Sequence, residues 1–536
     1  MKKATFLSLV SGLALSCSWP TYGLSYLIFF SFVPLLLAID SLGDQRFRTI
    51  KVFGLSYISL FIWNLSTTYW LFYSTVIGAF LTISSTALFM SIIFVVYSKV
   101  KKILGYNLSL ILLVMLFICY EKLQTIWDLA WPWLNLGNVF SNNSDIVQWY
   151  EYTGSLGGSL WIWVINVVSF KSYLYFRKTK QKSVLRKQSI YIALCITAPI
   201  IISHLILSNY EENGQKVDVC ILQPNIDSYT EKFNFTNYSM IENIFDLVKD
   251  VDLTEKDYLI SPETSLPNQI DTSELESEIS ILELKKYTSQ YPELYTVIGI
   301  TSKRDYNQGD VLPYSARKYI DYDIWYDIYN SAIQLHDGDS IDIYHKSKLV
   351  PGVEILPFSS IVKPIIGNRF VDLGGVYGSL GTQDSREVFF NKNGIKVAPI
   401  ICYESVFGQY ITEYLKKGAE LLFIVTNDGW WSDSQGHKQH LAYSKIRAIE
   451  NRRSIARSAN TGISAIINQK GEIVDSLPYG ERGVLEGQLH INKSLTFYSK
   501  NGDYIARIAL LLSVIIILLY ISILLKMRYI KTSLDS

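Results

Sequence analysis

Pro399-Ile400-Ile401-Cys402-Tyr403-Glu404-Ser405 runs from apolar, strand-forming residues straight into a cysteine followed by polar ones. A strand that stops at a reactive side chain puts it on a loop held by a rigid scaffold, where functional groups are commonly carried. Two other segments share that design. Ser261-Pro262-Glu263-Thr264-Ser265-Leu266-Pro267 follows an apolar run at 258–260, and Tyr344-His345-Lys346-Ser347-Lys348-Leu349-Val350-Pro351-Gly352-Val353-Glu354 brings a lysine out of another. A cysteine nucleophile needs a group to take its proton, because a thiol of pKa about 8.5 is mostly protonated at neutral pH. Acyl transfer also needs a cation or N–H donors where the oxyanion forms. Glu263, Lys346 and Cys402 supply those residue types, although taken alone a strand-end cysteine is more often structural and a lone Glu or Lys is usually a solvated charge.

Outward from Cys402, the stretch 212–500 alternates two periodicities. Apolar, β-rich runs fall at 217–222, 258–260, 295–300, 328–335, 397–402, 421–425 and 463–467. Helical patterns fall at 240–249, 274–291, 406–417 and 440–453, the last with Lys445, Arg447, Arg452 and Arg453 expected on a cationic face. Alternation of this kind predicts a layered α/β domain. The sequence holds no internal repeat, low-complexity tract or phosphate-binding glycine loop.

Either side of that domain the chain is apolar. Stretches long enough for membrane spans occur near 4–20, 24–40, 52–72, 76–98, 104–121, 156–176, 188–208 and 504–526, which predicts a polytopic α-helical bundle of about eight spans. The expected domains are therefore 1–208 with seven helices, 212–500, and 504–536 with the eighth helix and a tail. Lys2 and Lys3, then Arg46, Arg48 and Lys51, then Lys99, Lys101 and Lys102, then seven Lys and Arg between Lys171 and Lys187, then Lys526, Arg528 and Lys531 mark every second connection as basic. By the positive-inside rule both termini lie in the cytoplasm and the α/β domain lies outside it. Lys2-Lys3, an apolar run and Leu15-Ser16-Cys17 imitate a secretory signal. The topology closes only if that segment stays as a span.

Composition excludes several functions. Of 536 residues, 49% are hydrophobic and only 18% charged, below the roughly 25% of a soluble domain. With 49 Lys and Arg against 48 Asp and Glu, no global basic field exists to hold nucleic acid, and no nucleic-acid partner is expected. The five cysteines show no Cys-x-x-Cys spacing, so neither a disulfide framework nor a zinc site is indicated. His437, His440 and Asp433 lack a third ligand set. No metal and no cofactor is expected.

Glu263, Lys346 and Cys402 in that order, with Pro-Glu at the first site and Cys-Tyr-Glu at the third, resemble the nitrilase/amidase superfamily, whose folds are αββα sandwiches with a Glu-Lys-Cys triad. Placed among membrane spans, such a domain resembles the apolipoprotein N-acyltransferase family over nearly the whole chain. Segments that carry this likeness include Leu222-Gln223-Pro224-Asn225-Ile226, Tyr329-Asn330-Ser331, Thr426-Asn427-Asp428-Gly429-Trp430-Trp431, Gln439-His440, Arg447-Ala448-Ile449-Glu450, and in the membrane part Phe32-Val33-Pro34 and Trp131-Pro132-Trp133. Two departures stand out. Pro351-Gly352-Val353-Glu354 replaces the family's Pro-Phe-Gly-Glu, and Lys232-Phe233 stands where a Lys-Trp pair is expected.

The resemblance implies that Glu263 is the general base, Lys346 the oxyanion cation and Cys402 the nucleophile. It places Glu354, Tyr403 and Glu404 in support, and Trp430, Asn427 and Phe358 at the substrate. It also implies a phospholipid acyl donor, an S-diacylglyceryl lipoprotein acceptor and the bilayer as partners, and the bacterial inner membrane with the catalytic domain in the periplasm; nothing in the sequence requires more than a monomer. Two alternatives share these motifs: a membrane-anchored nitrilase-type amidase that passes its acyl group to water, and a transporter or scaffold with an inactive insert. Intact Glu263, Lys346 and Cys402 argue against the second, and a bundle far larger than a tether argues against the first.

Overall fold

The computed structural model describes residues 1–336, 340–358 and 379–535. The chain divides into two units, one of Met1–Phe72, Ala79–Ser208 and Asn501–Ser536, the other of Tyr73–Gly78 and Asn209–Lys500.

The first unit is helical, with helices Lys2–Cys17, Ile28–Ser31, Val33–Asp40, Arg48–Thr68, Val76–Leu123, Ser155–Thr179, Lys182–Asn209 and Tyr504–Asp535. Its interior is aromatic: Phe32 stacks on Trp163 at 4.3 Å, and Phe94 and Phe117 close on the same pair. The backbone breaks between Ser31 and Val33, just ahead of Pro34. Asn166 satisfies that break, accepting from Phe32 N at 2.9 Å and donating to Ile28 O at 2.9 Å, as a buried backbone interruption requires.

Among the described residues four helices are long and apolar enough to cross a membrane: Arg48–Thr68, Val76–Leu123, Arg186–Asn209 and Tyr504–Ile530. This is fewer than the eight spans expected, for identifiable reasons. The expected segments 76–98 and 104–121 fall in one 48-residue element, interrupted at Gly105, whose φ of 71° and ψ of −172° are not helical. Lys2–Cys17 has only 16 residues, and 24–40 is divided by the break before Pro34. Ser155–Thr179 has the length, but its apolar run is diluted by Ser159, Asn166, Ser169, Lys171 and Ser172.

The second unit contains two packed sheets. The first holds β1 (Lys216–Gln223), β2 (Tyr258–Ile260), β3 (Leu266–Asp271), β4 (Tyr295–Tyr306), β5 (Arg317–Lys318), β6 (Trp325–Leu335), β7 (Asp342–His345) and the late strand β14 (Gly483–His490), in the order β14-β1-β2-β4-β6-β5, with β3 beside β4 and β7 beside β6. The second runs β13-β12-β11-β10-β9-β8, from β8 (Phe389–Phe390), β9 (Lys396–Ile401), β10 (Leu421–Thr426), β11 (Ile455–Ala459), β12 (Ser464–Ile467) and β13 (Ile473–Leu477). Tyr258 of β2 meets Phe423 of β10 edge-on at 4.9 Å between them. Strands buried on both faces read as unbroken apolar runs, as Leu421–Thr426 does. Helices Asn237–Val248 and Ile279–Thr288 cover the outer face of the first sheet through Ile241, Ile244, Ile281 and Leu284. Gly408–Lys416 and Gln435–Asn451 follow β9 and β10, which completes a nitrilase-like helix–sheet–sheet–helix arrangement.

Two strand sets run parallel, β1-β2-β4 and β9-β10-β11. Glu263 follows β2, Cys402 follows β9 and Asn427 follows β10, so all three sit beyond the carboxyl ends of parallel strands, where open α/β sheets hold their sites. The expected cationic face of 440–453 is not a face. Arg447, Arg452 and Arg453 are buried, bonded respectively to Glu450 at 3.2 Å, to Gln469 O at 3.2 Å and to Ala419 O at 2.9 Å. Guanidinium donors here satisfy carbonyls at the helix end and neighbouring loops.

Candidate active site

Glu263 stands on a tight turn after β2. Thr264 takes a φ of 48°, and Ser265 Oγ donates to Pro262 O at 2.8 Å. The turn lies directly on β4: Gly299 N donates to Pro262 O at 3.2 Å, and a Cβ on Gly299 would stand 2.6 Å from Pro262 O and Thr264 N. Only glycine permits that approach.

Lys346 leaves β7 with its backbone N–H on Asn330 O at 2.8 Å. Its ammonium is 1% exposed and lies between two carboxylates, 3.0 Å from Glu263 Oε1 and 2.8 Å from Glu354 Oε1. Asn330 Nδ2 donates to the same two oxygens, at 2.7 Å and 3.1 Å. Glu354 is fixed in turn by Val350 N on its Oε2 at 2.8 Å. The spacing between Lys346 and Glu354 thus yields a working contact despite the altered Pro351-Gly352-Val353 between them. Burial by itself would raise the Glu263 carboxyl, but the Lys346 ammonium and the Asn330 amide outweigh it and hold Glu263 below the usual carboxylate range. The same carboxylates overcome the effect of burial on Lys346 and keep it charged.

Cys402 follows β9 with a φ of 49°, a left-handed conformation rare for a residue with a side chain, and begins the single turn Cys402–Val406. Such strain persists only where the surroundings over-determine it. Here Ser405 Oγ donates to Cys402 O at 2.7 Å, and His440 Nε2 lies 3.2 Å from the same carbonyl and 2.8 Å from Ser405 Oγ. His440 Nδ1 is 2.9 Å from Asp428 Oδ1, Thr426 Oγ1 donates to that oxygen at 2.9 Å, and Arg457 bonds the other oxygen of Asp428. Burial, then the charge of Glu263, push the Cys402 thiol up, while Lys346 pulls it down.

Glu404 is fully buried and joins the two halves of the site. Its Oε2 accepts from Ile401 N at 2.9 Å, its Oε1 from Ser347 N at 2.7 Å and Tyr344 OH at 2.8 Å, so the turn bearing Cys402 and the loop bearing Lys346 share one carboxylate. Tyr403 is buried with its ring edge-on to Phe407 at 5.1 Å. Asn427 Oδ1 accepts from Ser228 Oγ at 2.9 Å and Asn460 Nδ2 at 3.2 Å, and Trp430 meets Tyr229 edge-on at 5.1 Å. Phe358 is 39% exposed, with a φ of 52°. Glu263, Lys346 and Glu354 are therefore bonded together, Cys402 lies within their field, and Asn427 and Trp430 lie with the 225–230 loop. Sequence reasoning assigned no role to Asn330, Lys232, Asp428, His440 or Arg457. The first four lie in or beside quoted segments, whereas Arg457 falls inside a short strand with no signal of its own. Among the described residues no group of three His, Cys, Asp or Glu is placed to hold a metal.

The model of the carbon-nitrogen hydrolase family matches residues 297–494, which include Lys346, Glu354 and Cys402 and leave Glu263 outside. The model of the apolipoprotein N-acyltransferase N-terminal domain matches residues 11–168. An apolipoprotein N-acyltransferase of Chlorobaculum tepidum is 28% identical over 526 residues, 95% of this chain and 95% of the relative. The chain is similar to apolipoprotein N-acyltransferases along nearly its whole length. Further apolipoprotein N-acyltransferases, from Thermotoga maritima and Geobacter metallireducens, are each 26% identical, over 95% and 93% of this chain and 92% of each relative. These likenesses span both units.

Proposed function

We propose that the enzyme moves a fatty acyl group from a phospholipid, through a thioester on Cys402, to the α-amino group of an N-terminal S-diacylglyceryl cysteine on a lipoprotein. The observation that carries this reading is the buried Lys346 ammonium held between Glu263 and Glu354 beside a strained Cys402, in a chain aligned with apolipoprotein N-acyltransferases along its length. Glu263 takes the Sγ proton as the sulfur attacks the ester carbonyl, and Lys346 stabilises the oxyanion. Collapse breaks the ester C–O bond, and Glu263 returns the proton to the departing lysophospholipid oxygen. In the second half Glu263 takes a proton from the acceptor amine, nitrogen attacks the thioester carbonyl, and the C–S bond breaks with the proton passing to sulfur. An amine attacks a thioester more readily than an oxygen ester, so the covalent intermediate divides one difficult transfer into two easier ones. Tyr403 and Glu404 support the nucleophile, and Asn427, Trp430 and Phe358 face the lipid substrates.

The basic connections favour a bacterial inner membrane, with both termini cytoplasmic and the 212–500 domain periplasmic. Lipid-anchored donor and acceptor then reach the enzyme by lateral diffusion, and a monomer suffices. Intact-mass spectrometry of the purified protein with phospholipid tests the reading. A hydroxylamine-sensitive acyl adduct on Cys402, absent from Cys402→Ala and discharged onto a diacylated lipopeptide, is the expected result. An adduct that decays only to free fatty acid would instead identify a hydrolase.

A further inference from the structure

Lys232 is a buried lysine that forms no ion pair with a carboxylate among the described residues. It begins the turn Lys232–Asn234, is 1% exposed, and donates from Nζ to the backbone carbonyl of Glu263 at 2.8 Å. Among the described residues that carbonyl is the one hydrogen-bond acceptor its ammonium meets, although an ammonium carries three donors. The preceding loop is pinned. Asp227 Oδ1 accepts from Tyr229 N at 2.9 Å and Thr230 N at 2.7 Å, Asp227 O accepts from Lys232 N at 2.9 Å, and Asn460 clasps Ile226 from both sides. Burying an ammonium so poorly paired is costly, and a role that uses its charge accounts for it.

The charge inventory around the nucleophile supplies the role. Among the described residues the charged groups whose fields reach Cys402 include Glu263, Lys346, Asp428 and Lys232. Asp428 is matched by Arg457. Lys346 is shared by two carboxylates, Glu263 and Glu354, so that cluster alone carries one net negative charge, which opposes formation of a thiolate beside it. We propose that Lys232 is a positioning residue that cancels this excess: tied to the Glu263 carbonyl, its ammonium neutralises the Glu263–Lys346–Glu354 cluster and thereby favours the thiolate of Cys402. Burial outweighs the pull of Glu263 and Cys402 and leaves Lys232 at about 8, and because Cys402 pulls upward the lysine holds its proton more firmly as the sulfur ionises. The inference rests on Cys402 being the nucleophile.

The test is the pH dependence of Cys402 alkylation by iodoacetamide in the full-length protein in detergent, followed by mass spectrometry on the Cys402 peptide so that the other four cysteines do not contribute. Lys232→Gln keeps an N–H for the Glu263 carbonyl and removes the charge. It is expected to raise the midpoint by about one pH unit, hence to slow alkylation at pH 7 about tenfold, while Lys232→Arg stays within about threefold of wild type. If Lys232→Gln is not monodisperse, wild type against Lys232→Arg over pH 7–10 decides. The wild-type profile should be the broader because its lysine discharges in that range, and superimposable profiles would overturn the proposal. Acyl transfer surviving in Cys402→Ser would overturn the thioester reading and the role of Lys232 with it. An unchanged midpoint in Lys232→Gln, with transfer lost in Cys402→Ser, would overturn the Lys232 role alone.

Discussion

The cluster around Lys346 and the cluster of Asp428, His440 and Arg457 are both buried and both reach Cys402, yet they use charge in opposite ways. In the first, two carboxylates compete for one ammonium and one asparagine, all four groups converging on a pair of oxygens. In the second, one carboxylate meets one guanidinium, and His440 transmits the arrangement to the Cys402 carbonyl. Burial would raise Asp428, but Arg457 and His440 drive it far below the carboxylate range. In the proposed mechanism the first cluster keeps charge available to the reacting carbonyl, whereas the second holds the backbone of Cys402. Proximity to a cysteine therefore does not by itself separate reacting groups from supporting ones. The balance of charge does.

The largest expected effect tests the first cluster. Cys402→Ala and Lys346→Met should each lower acyl transfer about a thousandfold or more, read as loss of lipopeptide acylation, because the proposed nucleophile and the proposed oxyanion cation are removed outright. Near-normal transfer in Lys346→Met would erase the contrast. Next, Arg457→Met leaves Asp428 buried without its counter-charge and should cost about 3–5 kcal/mol in denaturant titration, partly recovered in Arg457→Met/Asp428→Asn. The third effect is one of sign. Glu263 is held below its unfolded value of about 4.3, so its contribution to stability is present above that pH and is lost as pH falls. Without Lys346, burial dominates and raises Glu263, which then stabilises at low pH and loses that contribution as pH rises. The pH of maximum stability of Lys346→Met should accordingly lie below that of wild type, measured as the thermal midpoint across pH 3–8. Smallest, Ser405→Ala deletes one hydrogen bond to the Cys402 carbonyl. It should cost about 1 kcal/mol of stability, and transfer should stay within about fivefold.

Much of this site was legible because strand-end chemistry leaves a local mark. Pro399–Ser405 announces a strand, a stop and a thiol, and Glu263 and Lys346 sit in comparable frames. Asn330 was not readable as a site residue, since nothing in Tyr329-Asn330-Ser331 states that β6 will lie beside β7 and aim its amide at both carboxylates. Arg457 was hidden for a related reason: Ile455–Ala459 is short and contains a charge that only a buried partner makes tolerable. Strands β3, β5 and β8 escaped because two-residue or polar strands have no periodicity to detect. Hydropathy windows located the apolar segments but not the helix breaks, which depend on Gly105 and on the turn before Pro34.

Gly299 has an implication for redesign. The proposed general base is located by the atoms that β4 lacks, since the backbone on both sides of Glu263 rests where a methyl group would be. Adding one carbon at position 299, remote from any reacting group in sequence, would lift the carboxylate away from Lys346 and Asn330 together. Attempts to broaden the substrate range must therefore leave position 299 untouched, because the floor beneath Glu263 admits no added carbon.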